Sequence, residues 1–168
     1  METMFARLPP VDRATDLLAL QTALTTIGRV QHSHRARRRI EDRSGVPLGP
    51  TAIATLAAVR TSGPARHRAV AHRVGLQPSR VSKEVRVLVD AGMVTERPDP
   101  DDRRAVLLEA TEKGAEAHDR YLDAAQEILA EVLGDWSDRD LRQLVDLTTR
   151  LAAAFARESD PHEDRTED

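Results

Sequence analysis

The stretch Pro64–Gly92 limits most severely what this chain can become. Arg66 to Val74 reads as a short helix, with Ala69, Val70 and Val74 spaced to bury one side. Gly75 ends it, as glycine does where a helix turns into positive φ. Leu76 fills the corner, and Pro78 opens a second helix at the position that has no use for an N–H. Val81, Val85, Leu88 and Val89 form the buried stripe of that second helix. Ser79, Arg80, Ser82, Lys83 and Arg86 are left outside, with Glu84 and Asp90 directed elsewhere. A short helix with a bare basic, hydroxyl-bearing arc, entered through a tight turn, suits the major groove of DNA.

Two strand-like runs follow, Met93–Arg97 and Arg104–Leu108, around Pro98-Asp99-Pro100-Asp101-Asp102-Arg103. That middle run is turn chemistry: prolines that fix φ and aspartates that accept local backbone bonds. A two-stranded wing beside a helix-turn-helix reaches the neighbouring groove, with Arg103 and Arg104 at its tip. Here the sequence resembles the MarR family of bacterial winged-helix regulators. The resemblance rests on Val70-Ala71, Val74-Gly75-Leu76, Ser79–Val89, Gly92-Met93-Val94, Arg97–Leu108 and Thr111-Glu112-Lys113-Gly114. It implies a homodimer in which the first and last two helices intertwine. It also implies release of DNA by anionic aromatic compounds, and an Asp102–Arg104 pair in which the carboxylate holds the arginine ready for the minor groove.

Net charge is −3, which taken alone argues against a nucleic-acid partner. Its distribution reverses that argument. Between Arg60 and Arg104 there are ten Lys and Arg against six Asp and Glu, whereas Ala105–Asp168 has seven against seventeen. A basic middle set against an acidic C-terminal part is a footprint that orients DNA. The absence of cysteine excludes disulfides, thiolate metal sites and thiol redox sensing together. No apolar run is long enough to span a membrane and no apolar signal region opens the chain, so the expected location is the cytoplasm.

Taken in order, residues 1–10 read as a flexible arm. Residues 11–43 read as one helix with Leu17, Leu20, Leu24 and Ile27 on a common face and an arginine-rich end. A helix from Pro50 carries Ile53, Leu56 and Val59 inward, with Gly49 as cap. Arg66 stands where a Ser or Thr cap is expected, which leaves that helix start frayed or held from elsewhere; with His67 it is a candidate phosphate contact. Thr111 caps a long helix to about Leu133, whose expected inward stripe is His118, Tyr121, Leu122, Ala125, Ile128, Leu129 and Val132. Gly134-Asp135-Trp136 breaks it, and Ser137 and Asp140 start a last helix with a surplus of apolar residues from Leu141 to Phe155. Residues 159–168 read as a disordered acidic tail.

The expected fold is mostly α with a small β-wing: a winged helix-turn-helix over 47–110, and an intertwined helical dimerisation region over 11–46 and 111–158. The expected function is that of a sequence-specific DNA-binding regulator, a ligand-responsive repressor on a pseudo-palindromic operator. A winged-helix protein-interaction module and a non-specific DNA-architectural protein are the alternatives. The expected DNA contacts are Ser79, Arg80, Ser82, Lys83, Arg86, Asp102, Arg103, Arg104, Arg66 and His67. His34 and Arg38, one turn apart, could offer a donor and a cation to a small anionic aromatic effector, and a solvated helix end is the blander reading. The histidine spacings do not suit a metal, and no nucleophile elbow or phosphate loop is present. No catalytic residue and no cofactor is expected.

Overall fold

The computed structural model describes residues 12–102 and 104–159. Along them run α1 (Arg13–Gln31), α2 (His34–Ser44), α3 (Pro50–Ser62), β1 (Ala65–Arg66), α4 (His67–Val74), α5 (Pro78–Asp90), β2 (Val94–Pro98), β3 (Val106–Ala110), α6 (Glu112–Val132) and α7 (Asp138–Ser159). Chain contacts divide into two compact units, with the boundary after Ala125, inside α6. The expected arm, 1–10, lies outside the described residues, as does the tail except for Ser159, which closes α7.

The first unit is built around α3. Pro50 occupies its first turn behind Gly49, and Ile53, Leu56 and Val59 point inward as the spacing predicts. They join Val70 and Ala71 of α4, Val81, Val85 and Leu88 of α5, and Leu108 of β3 in one aliphatic core. Ala69, expected inside, is exposed: the face of α4 that meets α3 and α5 is Val70, Ala71 and Val74.

The helix expected over 11–43 is two helices. Ser33 divides them: its hydroxyl accepts the Ala36 N–H (3.2 Å) and starts α2, while its own N–H turns back to the Val30 carbonyl (3.1 Å). Serine competes locally for backbone bonds in this way.

The sheet has the order β1-β3-β2, all antiparallel. In the wing, Val94 faces Ala110 and Pro98 faces Val106, so both strands begin later than the hydrophobic pattern predicts. The displacement follows from the tip. The Asp99 N–H donates to the Ala105 carbonyl (3.0 Å) and the Ala105 N–H to the Asp102 carbonyl (2.9 Å), which closes a longer loop than a tight turn. Strand β1 has only two residues, too few for any periodicity to announce it.

Helix α6 starts as expected, with the Gly114 N–H donating to the Thr111 hydroxyl (3.1 Å). Its inward stripe differs from the one expected. Gly114, Ala117 and Ala124 are buried and Tyr121 packs on the core, whereas Leu122, Leu129 and Val132 are exposed. At the start of the helix the backbones approach closely: a Cβ on Gly114 would lie 2.0 Å from the Met93 carbonyl oxygen, so only glycine fits there. Leu122, Leu129 and Val132 meet no covering partner among the described residues. In the second unit, the Ser137 hydroxyl accepts the Asp140 N–H (3.2 Å) and donates to the Asp140 carboxylate (2.7 Å), the reciprocal cap that opens α7.

Candidate nucleic-acid interface

The turn between α4 and α5 is made by Gly75, at φ 68° and ψ 31°. Its N–H donates to the His72 carbonyl (3.1 Å) and the Leu76 N–H to the Ala71 carbonyl (3.0 Å), a left-handed stop that a side chain at Gly75 would strain. Pro78 then opens α5. Val81, Val85 and Leu88 are buried, so the opposite arc is forced outward, and Ser79, Arg80, Ser82, Lys83 and Arg86 are all exposed. Glu84 is nearer this arc than the sequence suggests: its Oε1 lies 3.3 Å from Arg80 Nε, one turn away. The Ser82 hydroxyl donates back to the Pro78 carbonyl (2.9 Å), which leaves its oxygen as an acceptor toward solvent.

Arg66 and His67 have partners on the wing. Arg66 Nε donates to Asp99 Oδ2 (2.6 Å), Nη2 lies 2.6 Å from the same oxygen, and Nη1 lies 3.9 Å from Asp102 Oδ2. His67 Nε2 lies 3.7 Å from Glu96 Oε1. The missing side-chain cap at Arg66 is thus offset by β1–β3 pairing and by a tether to the wing.

Asp99 is the residue that sequence reasoning missed. It is buried, and its Oδ1 accepts the Asp101 N–H (2.9 Å). That backbone bond and the Arg66 guanidinium hold its carboxyl below the usual carboxylate range, and Asp99 in turn raises the Arg66 pKa. Nothing in Pro98-Asp99-Pro100-Asp101-Asp102 distinguishes one aspartate from the next until the loop is closed.

Asp102 also acts differently from expectation. Its Oδ1 accepts the Arg104 backbone N–H (3.0 Å), so it shapes the turn rather than gripping the Arg104 guanidinium. Among the described residues the exposed Arg104 side chain has no ion-pair partner. Arg103 lies outside the described residues.

A second unforeseen feature joins α5 to α6. The Thr111 hydroxyl donates to the Gly92 carbonyl (2.8 Å), the Thr111 N–H to the Met93 carbonyl (3.0 Å), and Lys113 Nζ to the Ala91 carbonyl (2.7 Å). Thr111-Glu112-Lys113-Gly114 is therefore a latch as well as a helix start. Farther along α6, Asp119 and Arg60 of α3 form a two-pronged pair that lowers the Asp119 pKa.

His34 and Arg38 line one surface groove of about 550 Å³ with Arg35, Arg39 and Asp42. Among the described residues no group of three or more His, Asp or Glu side chains could hold a metal ion.

The MarR family profile matches residues 46–105, the span from the start of the α3 layer through the wing tip. An HTH-type transcriptional regulator of Mycobacterium tuberculosis is 35% identical over 111 residues, covering 62% of this chain and 78% of the relative. The chain belongs to the MarR family. A solved MarR family protein from Bacillus stearothermophilus superposes with a TM-score of 0.72 at 19% identity, over 87% of this chain and 99% of that one. A crystal structure of MarR gives 0.69 at 21%, over 82% and 98%. Both share the winged-helix architecture that the sequence predicts. Membership makes the chain a DNA-binding transcriptional regulator and not an enzyme. Among the described residues no helix is long and apolar enough to cross a membrane.

Proposed function

We propose that this MarR-family chain is a homodimeric repressor that reads a pseudo-palindromic operator and responds to a small anionic aromatic effector in the cytoplasm. The observation that carries the reading is the exposed arc of α5. Ser79, Arg80, Ser82, Lys83 and Arg86 stand clear on a helix whose other face is wholly committed to the core. Arg80, Lys83 and Arg86 are the side chains that reach base edges, and Arg104 extends the contact from the wing into the minor groove. Arg66 and His67 hold the wing at the angle that allows this, and a phosphate can share their outer faces.

Dimerisation is supported by α1, which has no buried residue although Leu17, Leu20, Leu24 and Ile27 line it. A two-fold partner covering that face sets the recognition helices about 34 Å apart, one turn of DNA. The groove of His34 and Arg38 supports the effector reading, since a carboxylate there meets several cations at once.

The test is retention of intergenic DNA, beginning with the fragment beside the chain's own gene, at physiological salt. Light scattering should show twice the 18.6 kDa chain mass. Arg80→Ala and Arg86→Ala should each reduce preference for the operator by about 1–3 kcal/mol, more than they weaken bulk DNA binding. An unchanged ratio of specific to non-specific affinity would mean that the arc binds phosphate only, as an architectural protein does. No DNA retention with capture of a protein partner would favour the interaction-module reading.

A further inference from the structure

Helix α5 has one apolar side chain that its core does not use. Val81, Val85 and Leu88 are buried and Val89 packs against the core, whereas Val87 is 49% exposed. Helical geometry puts Val87 one turn beyond Lys83 and two turns beyond Arg80. It therefore belongs to the basic arc and not to the buried stripe. Nothing in local folding favours it there. A β-branched residue is a poorer helix former than alanine or lysine, and its isopropyl group stays wet.

The major groove carries one apolar feature, the thymine 5-methyl group. A valine suits it. Its χ1 is nearly fixed in a helix, so docking the isopropyl group loses little rotamer freedom. Lys83 one turn away supplies the cation that keeps the helix against the duplex. We propose that Val87 is a specificity-determining residue that packs on a thymine methyl in each operator half-site. The inference rests on the DNA-reading function proposed above and adds a base preference that hydrogen bonds from Arg80, Lys83 and Arg86 do not supply.

The test begins with an operator selected by the wild-type chain. Each thymine of the duplex is then replaced in turn by deoxyuridine, which removes the methyl group and nothing else. At one symmetry-related thymine position the replacement should weaken wild-type binding by about threefold to fivefold per half-site, the size expected for one buried methyl group. Val87→Ala, which raises helix propensity and leaves the core intact, should bind the thymine and uracil duplexes equally well at that position and keep the wild-type response elsewhere. If Val87→Ala stays as sensitive as the wild type to every uracil, or if no uracil matters to the wild type, the methyl contact is overturned while operator binding stands. If Val87→Ala instead changes the chain's mass in solution and not its uracil response, Val87 serves assembly and the inference is overturned. Failure of the wild type to select any DNA is seen before uracil is introduced, and it overturns the DNA-reading premise together with this inference.

Discussion

Helices α1 and α5 are both rich in aliphatic residues, yet the chain uses them in opposite ways. On α5 the apolar residues fall into one stripe that vanishes into the core, and the remaining arc is polar but for Val87. On α1 Leu17, Leu20, Leu24 and Ile27 share one face with Leu18 beside it, and none is buried. The winged motif completes itself within one chain. Helix α1 is incomplete until something else covers it. A stripe that finds its partner locally is a statement about folding; one that does not is a statement about assembly.

The strongest way to break that contrast is to damage the self-sufficient part. Leu88→Ala should destabilise the winged motif by about 2–5 kcal/mol, read as a lower denaturant midpoint. A loss below 1 kcal/mol would mean that the stripe is less committed than its burial indicates. Leu24→Glu addresses the other side. It should leave the motif's hydrogen-exchange protection unchanged while weakening self-association by about 2 kcal/mol, read as mass against concentration. An unchanged mass would show that α1 is covered by something other than a second copy.

Two smaller effects sharpen the comparison at the edges of the motif. Gly114→Ala forces a Cβ into the Met93 carbonyl and should cost about 1–3 kcal/mol, mostly as faster unfolding of the junction between α6 and β2. The smallest effect is that of pH on the wing. The Asp99 carboxyl has a lowered folded-state pKa, so its stabilising contribution is complete above its ordinary value near 3.9 and is lost as pH falls through the lower folded value. Exchange protection of the Asp99 and Ala105 amides should hold at neutral pH and fade only once pH falls below the ordinary carboxylate range. Asp99→Asn should lose it at neutral pH already. Protection that ignores both would show that the loop is held by its backbone alone.

The helix-turn-helix was legible because every part of it is a local rule: Gly75 at a left-handed turn, Pro78 at a first turn, and Val81, Val85 and Leu88 at helical spacing. The breaks at Gly134 and the cap at Ser137 were legible for the same reason. What stayed hidden depends on partners distant in sequence. Asp99 is defined by Arg66, thirty-three positions away, and β1 exists only because β3 lies beside it. The need for glycine at position 114 comes from how closely α6 approaches Met93 there, which no pattern within α6 reveals. Asp102 has the residue type that the family resemblance calls for, but its bond goes to the Arg104 backbone.

The latch at Thr111 and Lys113 has a mechanical consequence. The covalent path from α5 to α6 runs out along the whole wing and back, which would make a compliant hinge. The latch short-circuits that path. Three successive carbonyls at the foot of α5, those of Ala91, Gly92 and Met93, are taken up by the first turn of α6, and the slack in the wing is bypassed. The start of α6 is thereby spliced to the turn that ends α5, like two timbers over a joint, and the two move as one piece whatever the wing does.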